Sequence, residues 1–138
     1  MPGRDVYHNH VKHALIKDGW MITDDPLHLK WGVKDLYVDL GAERLLAAVK
    51  AERKIAVEIK SFVGMSEIVE LEKAVGQYIV YEDVLSEVEC ERRLYLAVHE
   101  HIYQNLFEEP LGELLIRKQH LKLIIFDPVQ EVIVKWIE

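Results

Sequence analysis

Six consecutive residues, Ile55-Ala56-Val57-Glu58-Ile59-Lys60, constrain this chain more than any other stretch. They are apolar except for one acid and one base set two apart. Side chains of a strand alternate between its two faces, so Ile55, Val57 and Ile59 are predicted on one face and Ala56, Glu58 and Lys60 on the other. Two accounts of the charged pair compete. A strand can turn a polar face to water, where a Glu and a Lys merely alternate with core residues. Alternatively, the two charges share a site with acids and polar groups from neighbouring elements.

Composition narrows the class. The chain has 138 residues, 50% hydrophobic and 30% charged, enough to bury roughly two-thirds of its unfolded surface in one domain spanning residues 1–138 without metal or disulfide. The single Cys90 cannot close an intrachain bridge and suits a reducing cytoplasm. Ordinary Gly and Pro counts and a mean hydropathy of -0.02 exclude collagen-like and disordered classes. No apolar run approaches the ~18 residues of a membrane span, and Met1-Pro2-Gly3-Arg4 lacks the apolar core of a signal peptide. A soluble, cytoplasmic protein with no membrane contact is expected. The net charge of -7 is awkward for a chain binding nucleic acid alone, because that affinity comes from Lys and Arg displacing counterions. Acids acting as metal ligands, or a basic partner, would reconcile the two.

Apolar spacing at Tyr7, Val11, Ala14 and Leu15 predicts a helix over 5–18, with Asp5 as N-cap and Gly19 as stop. Trp20 to Thr23 reads as a short strand, and Asp24-Asp25-Pro26 as a turn rather than a ligand cluster. β-Rich segments from Leu36 to about Lys50 and from Lys54 to Phe62 flank a connection at Ala51-Glu52-Arg53. Ile68, Leu71, Val75, Tyr78 and Ile79 recur at helical spacing, predicting a helix over 66–85 capped by Ser66. A strand over 93–98, short helices over 100–107 and 110–117, and a hairpin of 121–126 with 129–137 complete a mixed α/β order.

Asp39 and Glu43 lie on the segment before Glu58-Ile59-Lys60, and Gln77 and Tyr81 stand four apart on one stripe of the following helix. This set resembles the PD-(D/E)xK nuclease superfamily, whose core runs helix, three strands, helix, strand, with an acid on one strand and Glu-x-Lys on the next. Here Val38 stands where the superfamily acid is usually preceded by proline. The resemblance implies a restriction-endonuclease-like core with a carboxy-terminal helical and β-hairpin appendage. Its chemistry would be that of a Mg²⁺- or Mn²⁺-dependent endonuclease. Asp39 or Glu43, Glu58 and the Ile59 carbonyl would supply hard oxygen ligands. Lys60 would orient the nucleophile or neutralise developing charge, Gln77 would hold water or phosphate, and Tyr81 would buttress it.

Which acid serves depends on register. A tight turn centred on Ala51-Glu52 pairs Leu45 with Glu58 and Glu43 with Lys60, leaving Asp39 about 20 Å from the Glu58 level at ~3.3 Å per residue. A bulge at Gly41, or a turn nearer Val49, restores Asp39. Asp39 and Glu43 are therefore both candidate ligands.

A closer resemblance covers nearly the whole chain. Ile16-Lys17-Asp18-Gly19-Trp20, Ile22-Thr23-Asp24-Asp25-Pro26, Val38-Asp39-Leu40-Gly41-Ala42-Glu43 and Ala56-Val57-Glu58-Ile59-Lys60-Ser61-Phe62 are similar to the XisH family. Its members are called excision controlling factors of the fdxN element, a DNA element removed during heterocyst differentiation in cyanobacteria. The resemblance implies a role in DNA rearrangement, with DNA, a small companion protein of the XisI type and a separate site-specific recombinase as partners.

Other motifs read more plainly. His8, His10 and His13 contain no i, i+4 pair for zinc and no partner cysteines, so surface or packing roles are expected; His8 alone, on the opening helix, is a candidate to border the site. The acidic run from Glu82 to Glu91 reads as a solvated helix end, and Trp31, Tyr95, Tyr103 and Trp136 as core or interface residues. Two other function classes stand beside the nuclease. One is a catalytically inactive DNA- or protein-binding regulatory subunit on the same fold. The other is a structural role in which the edge formed by Leu121 to Glu138 builds a homo-oligomer.

Overall fold

The computed structural model describes residues 5–46 and 51–138. A six-stranded mixed sheet runs β1 (Met21–Asp24), β4 (Leu40–Leu46), β5 (Ala51–Ile59), β6 (Arg92–His99), β7 (Leu123–Asp127), β8 (Val132–Ile137). A separate hairpin of β2 (Leu27–Trp31) and β3 (Lys34–Val38) is inserted between β1 and β4. The β4/β5 and β1/β4 pairs are antiparallel, and β5, β6 and β7 run parallel. Parallel neighbours need crossovers, and helices supply both. α2 (Glu67–Val88) joins β5 to β6, while α3 (Glu100–Ile102), a π-helical turn at Tyr103–Phe107 and α4 (Pro110–Gln119) join β6 to β7.

Both sheet faces are covered, which explains the apolar central strands. On one face Ile55, Val57 and Ile59 pack with Leu40, Ala42, Tyr95 and Phe126 against Val11 and Leu15 of α1 (His8–Lys17). On the other, Ala56, Leu94, Leu96 and Val98 pack against Leu71, Ala74, Tyr78 and Leu85 of α2, with Leu27, Leu29 and Val38 of the hairpin. The alternation predicted for β5 therefore holds, but its second face meets α2 rather than water.

Several boundaries differ from the sequence reading. α1 begins at His8 with Tyr7 as N-cap; the Asp5 side chain instead accepts from the Tyr7 amide at 2.9 Å and the Ser61 amide at 3.1 Å. Gly19 does end the helix: at φ 94° it closes a left-handed turn in which the Gly19 and Trp20 amides bond Ile16 and Leu15 carbonyls. The segment read as one strand from Leu36 is two, broken at Asp39, and β2 had no prediction. Ala51-Glu52-Arg53 is not a connection but the start of β5. The β4/β5 link falls on residues 47–50, outside the described residues. Ser66 caps α2 as predicted, accepting from the Val69 amide at 3.3 Å. Of the apolar stripe read on α2, Leu71 and Tyr78 are buried, whereas Ile68 and Ile79 face outward. Trp31 likewise is exposed rather than core.

Candidate functional site

Register decides which acid meets Glu58. Leu40 pairs with Val57 and Gly41 with Ala56 in an unbroken β4/β5 ladder, so no bulge at Gly41 is involved. That pairing carries Asp39, the residue before β4, to the level of Glu58. Contacts follow: the Asp39 amide donates to Glu58 Oε1 at 3.2 Å, and the Ile59 amide donates to Asp39 Oδ2 at 2.7 Å. Glu43 pairs with Lys54 rather than Lys60. Its carboxylate lies 3.9 Å from both Lys54 Nζ and buried Arg92, whose guanidinium also donates to the Ile55 carbonyl at 2.9 Å. The register expected from a turn at Ala51-Glu52 is thereby corrected, and Glu43 belongs to a structural ion cluster away from Glu58.

Glu58 is only 6% exposed. Burial pushes its carboxyl up to about 8, the neighbouring Asp39 charge adds to the rise, and Lys60 opposes it. Lys60 Nζ sits 3.8 Å from Glu58 Oε2, an ion pair too long for a hydrogen bond. Tyr81 of α2 feels the same pair: burial pushes its hydroxyl up to about 12, with Glu58 and Asp39 contributing. Gln77 lies one turn before Tyr81 on the same helical stripe, and its Oε1 is buried without a hydrogen-bond partner. Asp39, Glu58, Lys60 and Tyr81 thus form one electrostatic cluster.

His8 lies on the α1 side of the sheet. It is buried, with Nε2 2.7 Å from Asp25 Oδ1, and Lys12 Nζ is 2.8 Å from Asp25 Oδ2. Burial pushes the Asp25 carboxyl up, but the hydrogen bonds from Lys12 and His8 outweigh it and hold the group below its ordinary value. The Asp24-Asp25-Pro26 turn is therefore also an anchor for α1. Asp5, whose carboxylate fixes the Ser61 amide next to Lys60, is the positioning residue that spacing could not reveal, since its partner is 56 residues away.

Among the described residues no helix is long and apolar enough to cross a membrane, and no group of three or more His, Cys, Asp or Glu side chains is placed to hold a metal.

Comparison with known proteins places the chain in a family. No curated protein matches the chain. Two crystal structures do. One is an XisH family protein from Nostoc punctiforme, 42% identical, covering 97% of this chain and 100% of its own, with a TM-score of 0.89. The other is an fdxN element excision controlling factor protein from Anabaena variabilis, 43% identical, covering 98% of this chain and 100% of its own, with a TM-score of 0.88. The family model for the XisH protein matches residues 1–134, and with it the chain belongs to the XisH family.

Proposed function

We propose that this protein is a metal-dependent nuclease with a restriction-endonuclease-like core, acting on DNA in element excision. The observation that carries the reading is the buried Glu58 carboxyl held against Asp39 with Lys60 in reach. A helix, antiparallel strands, a crossover helix and a parallel strand, with the acids at the centre of the sheet, support the core assignment. The excision role follows the family and the name of the Anabaena variabilis relative.

The donor set fits a hard divalent cation. Two carboxylates in contact, one strongly disfavoured as an anion by burial and by its neighbour, form a site that positive charge would relieve. Mg²⁺ commonly takes one or two carboxylates and leaves its remaining positions to water and substrate phosphate. Asp39, Glu58 and the Ile59 carbonyl would hold Mg²⁺ or Mn²⁺, which when bound polarises the scissile phosphate and acidifies a water. Lys60 orients the attacking water or neutralises charge developing on the phosphate. Gln77 holds a water or phosphate oxygen through its amide, and Tyr81 fixes Gln77 from the next turn. DNA is the substrate, a companion of the XisI type supplies the charge this acidic chain lacks, and the recombinase acts on the same element.

An inactive regulatory subunit on this fold would give no physical reason to keep two carboxylates together in a buried site. The test is nicking of supercoiled DNA with Mg²⁺ or Mn²⁺, with and without the companion protein. Metal-dependent nicking is expected; its absence under every one of these conditions would leave the regulatory subunit as the better reading.

A further inference from the structure

The outer face of α2 is more apolar than a solvent-facing helix surface needs to be. Ile68, Val69, Ile79 and Val80 are 48%, 44%, 38% and 49% exposed. Between α2 and α4 a groove of about 530 Å³ is walled by Leu71, Val75, Ile79, Leu111 and Leu115. Gly76 lies in this groove near the middle of the helix, and a Cβ added there would meet nothing within 4 Å. Glycine is a poor residue for a helix interior; at this position it keeps the groove open.

The same helix is strongly anionic. Residues 67–88 carry Glu67, Glu70, Glu72, Glu82, Asp83 and Glu87 against the single Lys73, and no ion pair to any of these six carboxylates is present among the described residues. On the other flank of α2 a second hollow of about 480 Å³ brings the half-exposed Trp31 indole together with Val80 and Val84, with Asp83 and Glu87 also lining it. An aromatic ring beside two carboxylates suits a guanidinium or ammonium group.

We propose that the outer face of α2 docks a basic amphipathic segment of a partner protein, with apolar side chains in the α2/α4 groove over Gly76 and a cationic side chain beside Trp31. Charge selects this occupant. A second copy of the chain would set one anionic helix against another, and a nucleic acid would meet both like charge and an apolar surface. The surface also neighbours the candidate site in sequence, since Gly76 and Val80 immediately precede Gln77 and Tyr81. A docked basic segment therefore brings cations to the helix that carries two site residues. Binding at this face is read without any cleavage, so its failure and that of the nuclease reading are separate results.

The experiment uses the full chain, ¹⁵N-labelled, titrated with a helical leucine–lysine peptide and with its leucine–glutamate analogue. The lysine peptide should shift the amides of Gly76, Ile79, Val80 and Leu111 and the indole of Trp31, and should weaken as salt rises. Gly76→Leu should lower its affinity by roughly tenfold or more without lowering the melting temperature, because the added side chain occupies the groove and not the core. Asp83→Asn with Glu87→Gln should flatten the salt dependence. Shifts confined to another face, equal binding of the glutamate peptide, or unchanged affinity in Gly76→Leu would overturn the proposal. So would dimerisation of the free protein abolished by Gly76→Leu, which would make this face a self-interface.

Discussion

Asp39 and Glu58 are held opposite one another by two hydrogen bonds from main-chain amides to side-chain carboxylates: the Asp39 amide donates to Glu58 and the Ile59 amide to Asp39. The bonds fix the pair, while burial and mutual repulsion raise the Glu58 carboxyl to about 8 from an ordinary 4.5. A carboxyl raised in the folded state binds a proton that the unfolded chain has already released. Its contribution is full below about 4.5 and is lost as pH rises towards 8. Metal-free wild type should therefore lose stability over that interval relative to Glu58→Gln, by on the order of 1–3 kcal/mol. Urea unfolding of both proteins across the interval measures this, and parallel curves would refute it. Mn²⁺ binding should release a proton from Glu58, seen as buffer-dependent heat in calorimetry.

The two acids weighed from the sequence should separate cleanly. Asp39→Asn should abolish Mn²⁺ binding. Glu43→Gln should leave it unchanged and cost about 1 kcal/mol of stability, since Glu43 faces Lys54 and Arg92 in a partly solvated cluster. Equal loss of metal affinity in the two variants would contradict the register argument.

Lys60→Met distinguishes catalysis from binding. With the ammonium acting on the transition state, nicking should fall by about 10²- to 10⁴-fold while Mn²⁺ and DNA affinity stay near wild type. The fold should not suffer, because a partly buried charge is replaced by an apolar chain of similar reach. Cleavage that persists in this variant would remove Lys60 from the mechanism.

Two helical glycines should answer substitution in opposite directions. A Cβ at Gly112 would lie 2.2 Å from the Leu106 carbonyl oxygen and 2.4 Å from Phe107 Cα, both backbone atoms. Gly112→Ala should cost about 2 kcal/mol or more, since α4 must separate from the π-helical turn. Gly76→Ala, with open space around it, should instead gain roughly 0.5–1 kcal/mol from helix propensity. Thermal unfolding of the two variants compares them directly.

Local chemistry made much of this legible. The alternation in Ile55 to Lys60, the Ser66 cap, the Gly19 stop and the spacing of Gln77 and Tyr81 depend on neighbours within a turn or a strand, and the structure carries each of them. The β2/β3 hairpin escaped prediction because its inward Leu27, Leu29 and Leu36 alternate with polar residues around a Gly32-Val33 turn that no strong turn pair announces.

The amino-acid order alone determined that an acid, a Glu-x-Lys strand and a polar helix stripe occur in succession, since strand and helix periods are properties of the local backbone. It left Asp39 and Glu43 as equals. Only the tertiary structure chose between them, because strand register is set by long-range pairing of Leu40 with Val57 and by which side chains the two covering layers bury. The same packing closed the second face of β5 beneath α2, turning Glu58 from a solvated carboxylate into a buried carboxyl that holds its proton to about pH 8. Burial is a property of what folds over a residue, and for Glu58 that is a helix whose core-facing residues begin at Leu71, more than ten positions further along the chain.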